Sequence, residues 1–415
     1  MIDLHLTPEQ IEFRDAVRDF VNLEVKPAAT DPARLEPFEK PLMVNLLDQA
    51  SQMGLRSLGL SEDHGGADAD TLTTCMLLEE LAAGDVDLAV VLGETALLAR
   101  EVLGGAMSPA QREYWLPQFQ NEDRFHIAWV ARDADAGRGW SYHQTLPLEA
   151  DDVVPAPELT ATRDGKDWVI NGSAPFVANA PVAGLFVVQA KVGGGDGTVT
   201  VLLSQSAQGL AVGELLPAFG AAGDRTRWHH GAVAPVTLDN CRVSQENVLV
   251  ADAALRLLPK RIAERHMVQM AAINIGVARA AYEAAIDYAK MRWQGGRHIV
   301  EHQAIGMKLA DVAIQIEAAR SLTLKAAWVV DHPQAVAERS VSDLPWPVVA
   351  RTFTAEALHR ATLEAAECFG AMAVMRDMPL QKYAHDTLVL RHSADCDLAS
   401  PLIVAEAVAG YERLS

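Results

Sequence analysis

Residues able to do chemistry fall in a few places in this 415-residue chain. His298, Glu301 and His302 have the HxxEH spacing of some zinc peptidases, where two imidazoles bind the metal and a carboxylate activates water. The stretch follows Gly295-Gly296 and is expected at a helix start, with no third ligand in view. His229-His230 stands alone at an expected strand end and reads as a surface pair rather than a metal site. Cys75, Cys241, Cys368 and Cys396 are far apart, with no CxxC pair, and read as buried thiols of a reducing compartment. The glycine run from Gly193 to Gly197 lies between two apolar stretches and reads as a hairpin loop. A phosphate loop would need a helix and a Lys-Ser/Thr after it. There is no GxSxG elbow, no GxGxxG after a strand and no Walker loop.

The elements that must position these residues change character twice. Thr7-Pro8-Glu9-Gln10 is a helix start, with a hydroxyl N-cap, proline at N1 and Gln at N3. Helical periodicity follows over Pro41 to Met53, Leu72 to Leu81, Leu88 to Val102 and from Pro109 to Tyr114. From about Arg124 to Val250 short apolar runs alternate with turn residues, as in strands. Asn171-Gly172, after Trp168-Val169-Ile170, is a hairpin-turn signal, and Val236 to Arg242 is the last strand. Arg261 to Arg292, Gln303 to Val330, Trp346 to Phe369 and Pro401 to Tyr411 read as helices. The expected units are a helical domain over 1–123, a β-barrel or sheet domain over 124–250 and a helical bundle over 251–415.

Composition excludes several classes. Lys+Arg 35 against Asp+Glu 55 gives a formal charge of −20, which opposes nucleic acid or an anionic membrane as main partner. Half the residues are apolar, as in ordinary globular proteins. No window approaches the roughly 18 apolar residues that span a bilayer, and the first residues have no signal-peptide pattern. A cytoplasmic location is expected.

The ordered motifs, taken together, resemble the acyl-CoA dehydrogenase superfamily of flavoproteins from Leu6 to about Tyr411. Met53 to Gly66 is similar to its "GL…PEEYGG" segment and Glu79-Glu80-Leu81-Ala82 to its "EELA". Gly165 to Gly172 is similar to its "YxINGxKxWITN" strand, and Val236 to Leu249 to its "VRVPxENVLG" exit from the sheet. Arg292, Val300 to Gln303 and Leu309-Ala310-Asp311 resemble "R..FG…HQ…LADM". Cys368-Phe369-Gly370 and Tyr383-x-x-Asp386 resemble "FGG.G…R..RDA". The resemblance implies an α+β multi-domain fold: a helical N-terminal domain, a middle β domain and a C-terminal four-helix bundle. It also implies FAD, a homo- or hetero-oligomer, an acyl-CoA substrate and electron-transferring flavoprotein or another acceptor.

That chemistry needs a base for the thioester α-proton, an acceptor for the β-hydride and donors for the thioester oxygen. The family's base is a glutamate in one of two places. Here the helix position is His266, with Glu264 two residues earlier, and the loop position is Ala394, next to Asp395. His266 reads either as an imidazole base or as a packed core histidine, and Asp395 as a base or a capping carboxylate. Glu94, on the helix lining the family's acyl pocket, reads as a sign of a polar acyl group or as a snorkelling surface residue. The implied flavin contacts depart too. Arg132 and Arg138 replace small hydroxyl residues, Ala178 replaces the threonine at the N5 edge, and Phe176 keeps an aromatic against the ring. Arg292 and Gln303 are kept, Gly295 replaces the adenine-stacking aromatic, and Glu367 replaces an amide near the pyrophosphate. Gly370 is kept, but Ala371 and Ala373 fill two glycine positions. The expected function is α,β-dehydrogenation of an acyl-CoA, with this chain as enzyme or as the degenerate subunit of a hetero-oligomer with a paralogue. The alternative is a family member that has left that reaction.

Overall fold

The computed structural model describes residues 5–31, 42–130, 158–193, 197–214, 229–250, 253–375, 377–393 and 399–409. Helix α1 (Pro8–Phe20) starts as expected, with Thr7 and Gln10 forming a reciprocal capping box. A short π-helical segment leads into α2 (Lys26–Thr30). Helix α3 (Val44–Gln52) ends before Gly54, which takes a left-handed φ of 84°. Helices α4 (Thr71–Gly84) and α5 (Val86–Leu98) share one residue between them. Asp85 closes α4, and its carboxylate accepts from the Asp87 and Leu88 amides at 3.1 and 3.2 Å to cap α5. The helical run after α5 continues in π form over Ala99–Ala106, and α6 runs from Pro109 to Asn121, further than its sequence signal.

The middle of the chain is a seven-stranded sheet in the order β1-β4-β2-β3-β7-β6, with β5 paired to β4. Its strands are β1 (His126–Val130), β2 (Glu158–Asp164), β3 (Asp167–Ala178), β4 (Ala183–Val192), β5 (Thr198–Ser204), β6 (Leu210–Val212) and β7 (Val233–Val243). Asn171-Gly172 is not a turn. The β2–β3 hairpin turns at Gly165-Lys166, between paired Asp164 and Asp167, with Gly165 at φ 63°. Asn171 and Gly172 sit inside β3, where the pairing with β7 slips between Ile170 and Gly172. The Asn171 side chain accepts from the Asn240 amide of β7 at 2.7 Å, so tertiary pairing converted a local turn signal into a bulge. The Gly193 to Gly197 loop does join two paired strands, β4 and β5.

Helix α7 (Ala253–Met291) is a single 39-residue helix, about 58 Å long. A two-stranded ribbon, β8 (Trp293–Gln294) and β9 (Arg297–His298), follows. The bundle is completed by α8 (Gln303–Asp331), the short α9 (Gln334–Ala337), α10 (Trp346–Glu367), α11 (Leu380–Arg391) and α12 (Ala399–Ala409). Among the described residues no helix is long and apolar enough to cross a membrane.

One apolar core joins the first helices to the bundle: Val17, Leu77, Leu81 and Leu88 pack with Ile273, Ala278, Leu309 and Leu358. A second core joins α5, α6 and the sheet through Leu97, Trp115, Phe119, Ile127, Leu185 and Leu202. The closest crossing is α4 on α7. A Cβ at Gly276 would lie 2.3 Å from the Glu79 carbonyl oxygen and 2.8 Å from Ala82 Cβ. Carboxylates beside this contact hold four helices. Glu80 accepts from Arg18 of α1 at 2.6 Å and from Arg279 of α7 at 2.7 Å, and Glu79 accepts from Arg320 of α8 at 2.7 Å. Burial opposes ionisation of Glu80, but Arg18 and Arg279 outweigh it and hold its carboxyl below the ordinary value. Gly276→Ala is therefore expected to destabilise the protein by about 3 kcal/mol, the upper end of overpacking costs, since the obstacle is backbone. Urea unfolding of the variant measures this, and a loss below about 1 kcal/mol would show that the helices can separate freely.

Candidate functional site

Two helices bring together residues far apart in sequence. Glu94 projects from the half-exposed face of α5, and His266 from the facing side of α7. His266 Nδ1 lies 3.2 Å from Glu94 Oε2, with the side chains 33% and 10% exposed. Both sequence expectations for these residues meet in this pair, and Glu94 is not a surface side chain. Nδ1 of the ring is turned to the carboxylate, which sets the orientation of the imidazole. Val90, one helical turn before Glu94, is half-buried beside it.

The pair sits on a braced frame. Asp87, in the first turn of α5, accepts from the Gly231 amide at 2.9 Å and lies 3.3 Å from His230 Nδ1. His230 Nε2 is 3.0 Å from the Asp386 carbonyl oxygen of α11. His229 and His230 are thus not surface residues: His229 is 5% exposed against Phe176, and the His230 side chain is 6% exposed because its partners lie on α5 and α11 rather than near it in sequence. Lys382 of α11 pairs with Asp386 and lies 3.8 Å from Asp85. Burial disfavours its charge, but the two carboxylates outweigh that and push it above its ordinary value.

The sheet end is tied to α5 as well. Asn179, in a left-handed conformation at φ 61°, donates from Nδ2 to Val91 O and Thr95 Oγ1 at 3.1 Å each. This fixes the two preceding candidate positions. Ala178 pairs with Val233 and brings no side-chain donor. Phe176 is 43% exposed and meets His229 edge to face at 5.6 Å.

The remaining candidates gather elsewhere. Arg292, Gln303, Glu367 and Gly370 lie at the far end of the bundle and are all exposed. Tyr288 stacks on Phe369 at 4.2 Å and so joins the end of α7 to this corner. Glu367 pairs with Lys308 of α8, so its anion is compensated. Gly370, at φ 57°, has open space where a Cβ would be. Helix rise separates Arg292 from His266 by about 39 Å, so this corner and the Glu94–His266 pair of one chain are two separate places. Arg132, Arg138 and Asp395 lie outside the described residues. Buried Arg351 donates to Leu390 O and Ser393 Oγ at the end of α11.

The residues present fit FAD in part. An exposed aromatic face at Phe176, an open glycine at Gly370 and the cations Arg292 and Lys308 suit a ring and a diphosphate. The missing threonine hydroxyl at Ala178 removes one contact. The HxxEH stretch crosses β9 and a 3-10 turn rather than one helix face. His302 instead lies 3.0 Å from Gln294 O, which closes the ribbon. Cys75, Cys241 and Cys368 are buried and free, and burial pushes their thiols up. Asp87, Asn179 and Lys308 were not marked by any sequence motif.

Comparisons with known proteins agree with this architecture. The description "Acyl-CoA dehydrogenase, N-terminal domain" matches residues 7–123, and "Acyl-CoA dehydrogenase, C-terminal domain" matches residues 262–394. An acyl-CoA dehydrogenase of Bacillus subtilis (strain 168) is 25% identical over 410 residues, 98% of this chain and 100% of that one. The butyryl-CoA dehydrogenase structure from Megasphaera elsdenii superposes with a TM-score of 0.79 at 21% identity, over 98% of this chain and 100% of that chain. A structure of PigA with FAD and proline gives 0.79 at 19% identity, over 98% and 99%.

One buried base near this frame has a consequence for acid stability. His126 opens β1, is fully buried and lies 2.9 Å from Thr95 Oγ1. Burial, with a smaller contribution from the Arg56 charge, pushes its pKa down to about 3. The unfolded chain therefore binds the extra proton first. The stability is fully present above pH 6.5 and is lost as pH falls toward 3. Urea unfolding is expected to show about 2 kcal/mol less stability at pH 5 than at pH 7 from this residue. His126→Gln should flatten that slope, and an unchanged slope would disprove the assignment.

Proposed function

The chain belongs to the acyl-CoA dehydrogenase superfamily, and on that premise we propose that it takes part in α,β-dehydrogenation of an acyl-CoA thioester with His266 as the base. The Glu94–His266 pair carries this reading. Neither usual glutamate position holds a glutamate, yet a carboxylate-oriented imidazole stands at one of them. Glu94 orients the ring through Nδ1, and the imidazole takes the α-proton. The imidazolium so formed faces a carboxylate that is only 10% exposed, which favours its charge as the proton moves. Histidine's ordinary pKa suits this transfer near neutral pH.

FAD, held at Phe176 and by Arg292, Gln303 and Gly370 with Arg132 and Arg138, would supply the acceptor for the β-hydride. The separation of about 39 Å along α7 supports an oligomer. In that oligomer a second chain would bring Arg292, Gln303, Glu367 and Gly370 to the Phe176 side. That second chain is another copy or a paralogue, and electron-transferring flavoprotein is the proposed electron acceptor. The buried free thiols fit a reducing, cytoplasmic setting.

The test starts with the visible spectrum of the purified protein and the flavin released on heating. Anaerobic bleaching by acyl-CoA is then compared in wild type, His266→Ala and Asp395→Asn. His266→Ala is expected to retain flavin and lose about 10²–10⁴-fold in rate, the usual contribution of a positioned base. A variant keeping most of the rate would move the base to Asp395. A protein that stays colourless with added FAD would leave only the partner-subunit form of the reading.

A further inference from the structure

Gln269 lies three residues after His266 on α7, so both side chains share one face of the helix. It is 5% exposed, and no hydrogen bond of its amide is seen among the described residues, whose fully buried unpartnered atoms do not include it. Its Oε1 would be 3.6 Å from a Cβ at Gly93, the residue beside Glu94. The amide therefore borders the α5–α7 crossing at which Glu94 and His266 meet. A primary amide offers two donors and an acceptor, and buried ones are normally paired. The contact observed for the Glu94 carboxylate is with His266.

We infer that Gln269 reads a hydrogen-bonding substituent on the acyl group. The substrate class is then an acyl-CoA with a hydroxyl or carbonyl at the γ or δ carbon, rather than a plain alkanoyl-CoA. This rests on His266 being the base. Exposure falls from the histidine to the glutamine, so the acyl chain runs inward from one to the other. Three residues of helix rise are about 4.5 Å, roughly three or four bonds beyond the carbon that loses its proton. Val90 supplies an apolar wall beside the chain. A site with a buried polar group discriminates strongly against ligands that leave it unpaired.

Calorimetric titration of the flavin-loaded protein tests this, with 4-hydroxybutyryl-CoA and 5-hydroxyvaleryl-CoA against butyryl-CoA and valeryl-CoA. One hydroxyacyl ligand is expected to bind at least about tenfold more tightly than its parent. Gln269→Leu should abolish that preference while leaving the Tm unchanged or higher, because no hydrogen bond of the amide it removes is seen among the described residues. The inference is overturned if the parents bind as tightly, if the preference survives the leucine, if the variant's Tm falls, or if none of the four binds. An active dehydrogenase preferring plain acyl chains sinks the recognition alone. A hydroxyacyl preference without any dehydrogenation sinks the proposed reaction alone.

Discussion

The contact of α4 with α7 is the constraint from which the site follows. Gly276 lets the α7 backbone touch the Glu79 carbonyl, and no side chain fits between them. Glu79 and Glu80 then gather arginines from α1, α7 and α8 at that place. Buried ion pairs are poor sources of net stability, because desolvation offsets most of the attraction. Their use here is specification. Any sliding of α4 along α7 would strand a carboxylate without its guanidinium, so a single register is favoured.

Helix α5 inherits that register through Asp85, which ends one helix and starts the next. With α4 fixed on α7, α5 has little freedom, and Glu94 reaches His266 without a loop to position it. The same helix orders the sheet. Asp87 holds Gly231 before β7, and Val91 and Thr95 hold Asn179 after β3. One short helix thus connects the imidazole pair to the strand that presents Phe176. These polar contacts add direction to the apolar core that already packs α5 and α6 on the sheet.

What the sequence disclosed divides along lines of locality. The Thr7 capping box, the β4–β5 strands and the helices of the bundle depend on neighbours within a few residues, and each was legible. Asn171-Gly172 misled because its turn preference is real but weaker than pairing with β7 on both sides of the slip. His230 misled because nothing adjacent announces its partners on α5 and α11. At the site, His266 and Glu94 were visible as types in unusual positions, but not as a pair. Gln269 gave no signal, since a glutamine in a helix is ordinary until its burial is known.

The walls of the cleft differ in how much change they tolerate. On the α5 side a Cβ at Gly93 would lie 3.1 Å from Leu78 Cδ1, and on the strand side a Cβ at Gly231 would strike Val90 at 2.8 Å. Neither position can take a larger side chain without moving a neighbour. On α7 the facing position 269 carries a full side chain that can be exchanged for others of like size. A lineage of related proteins diverging toward new ligands would therefore be expected to vary along α7 while its α5 and strand glycines stay put. The history of such a site would be written on one helix.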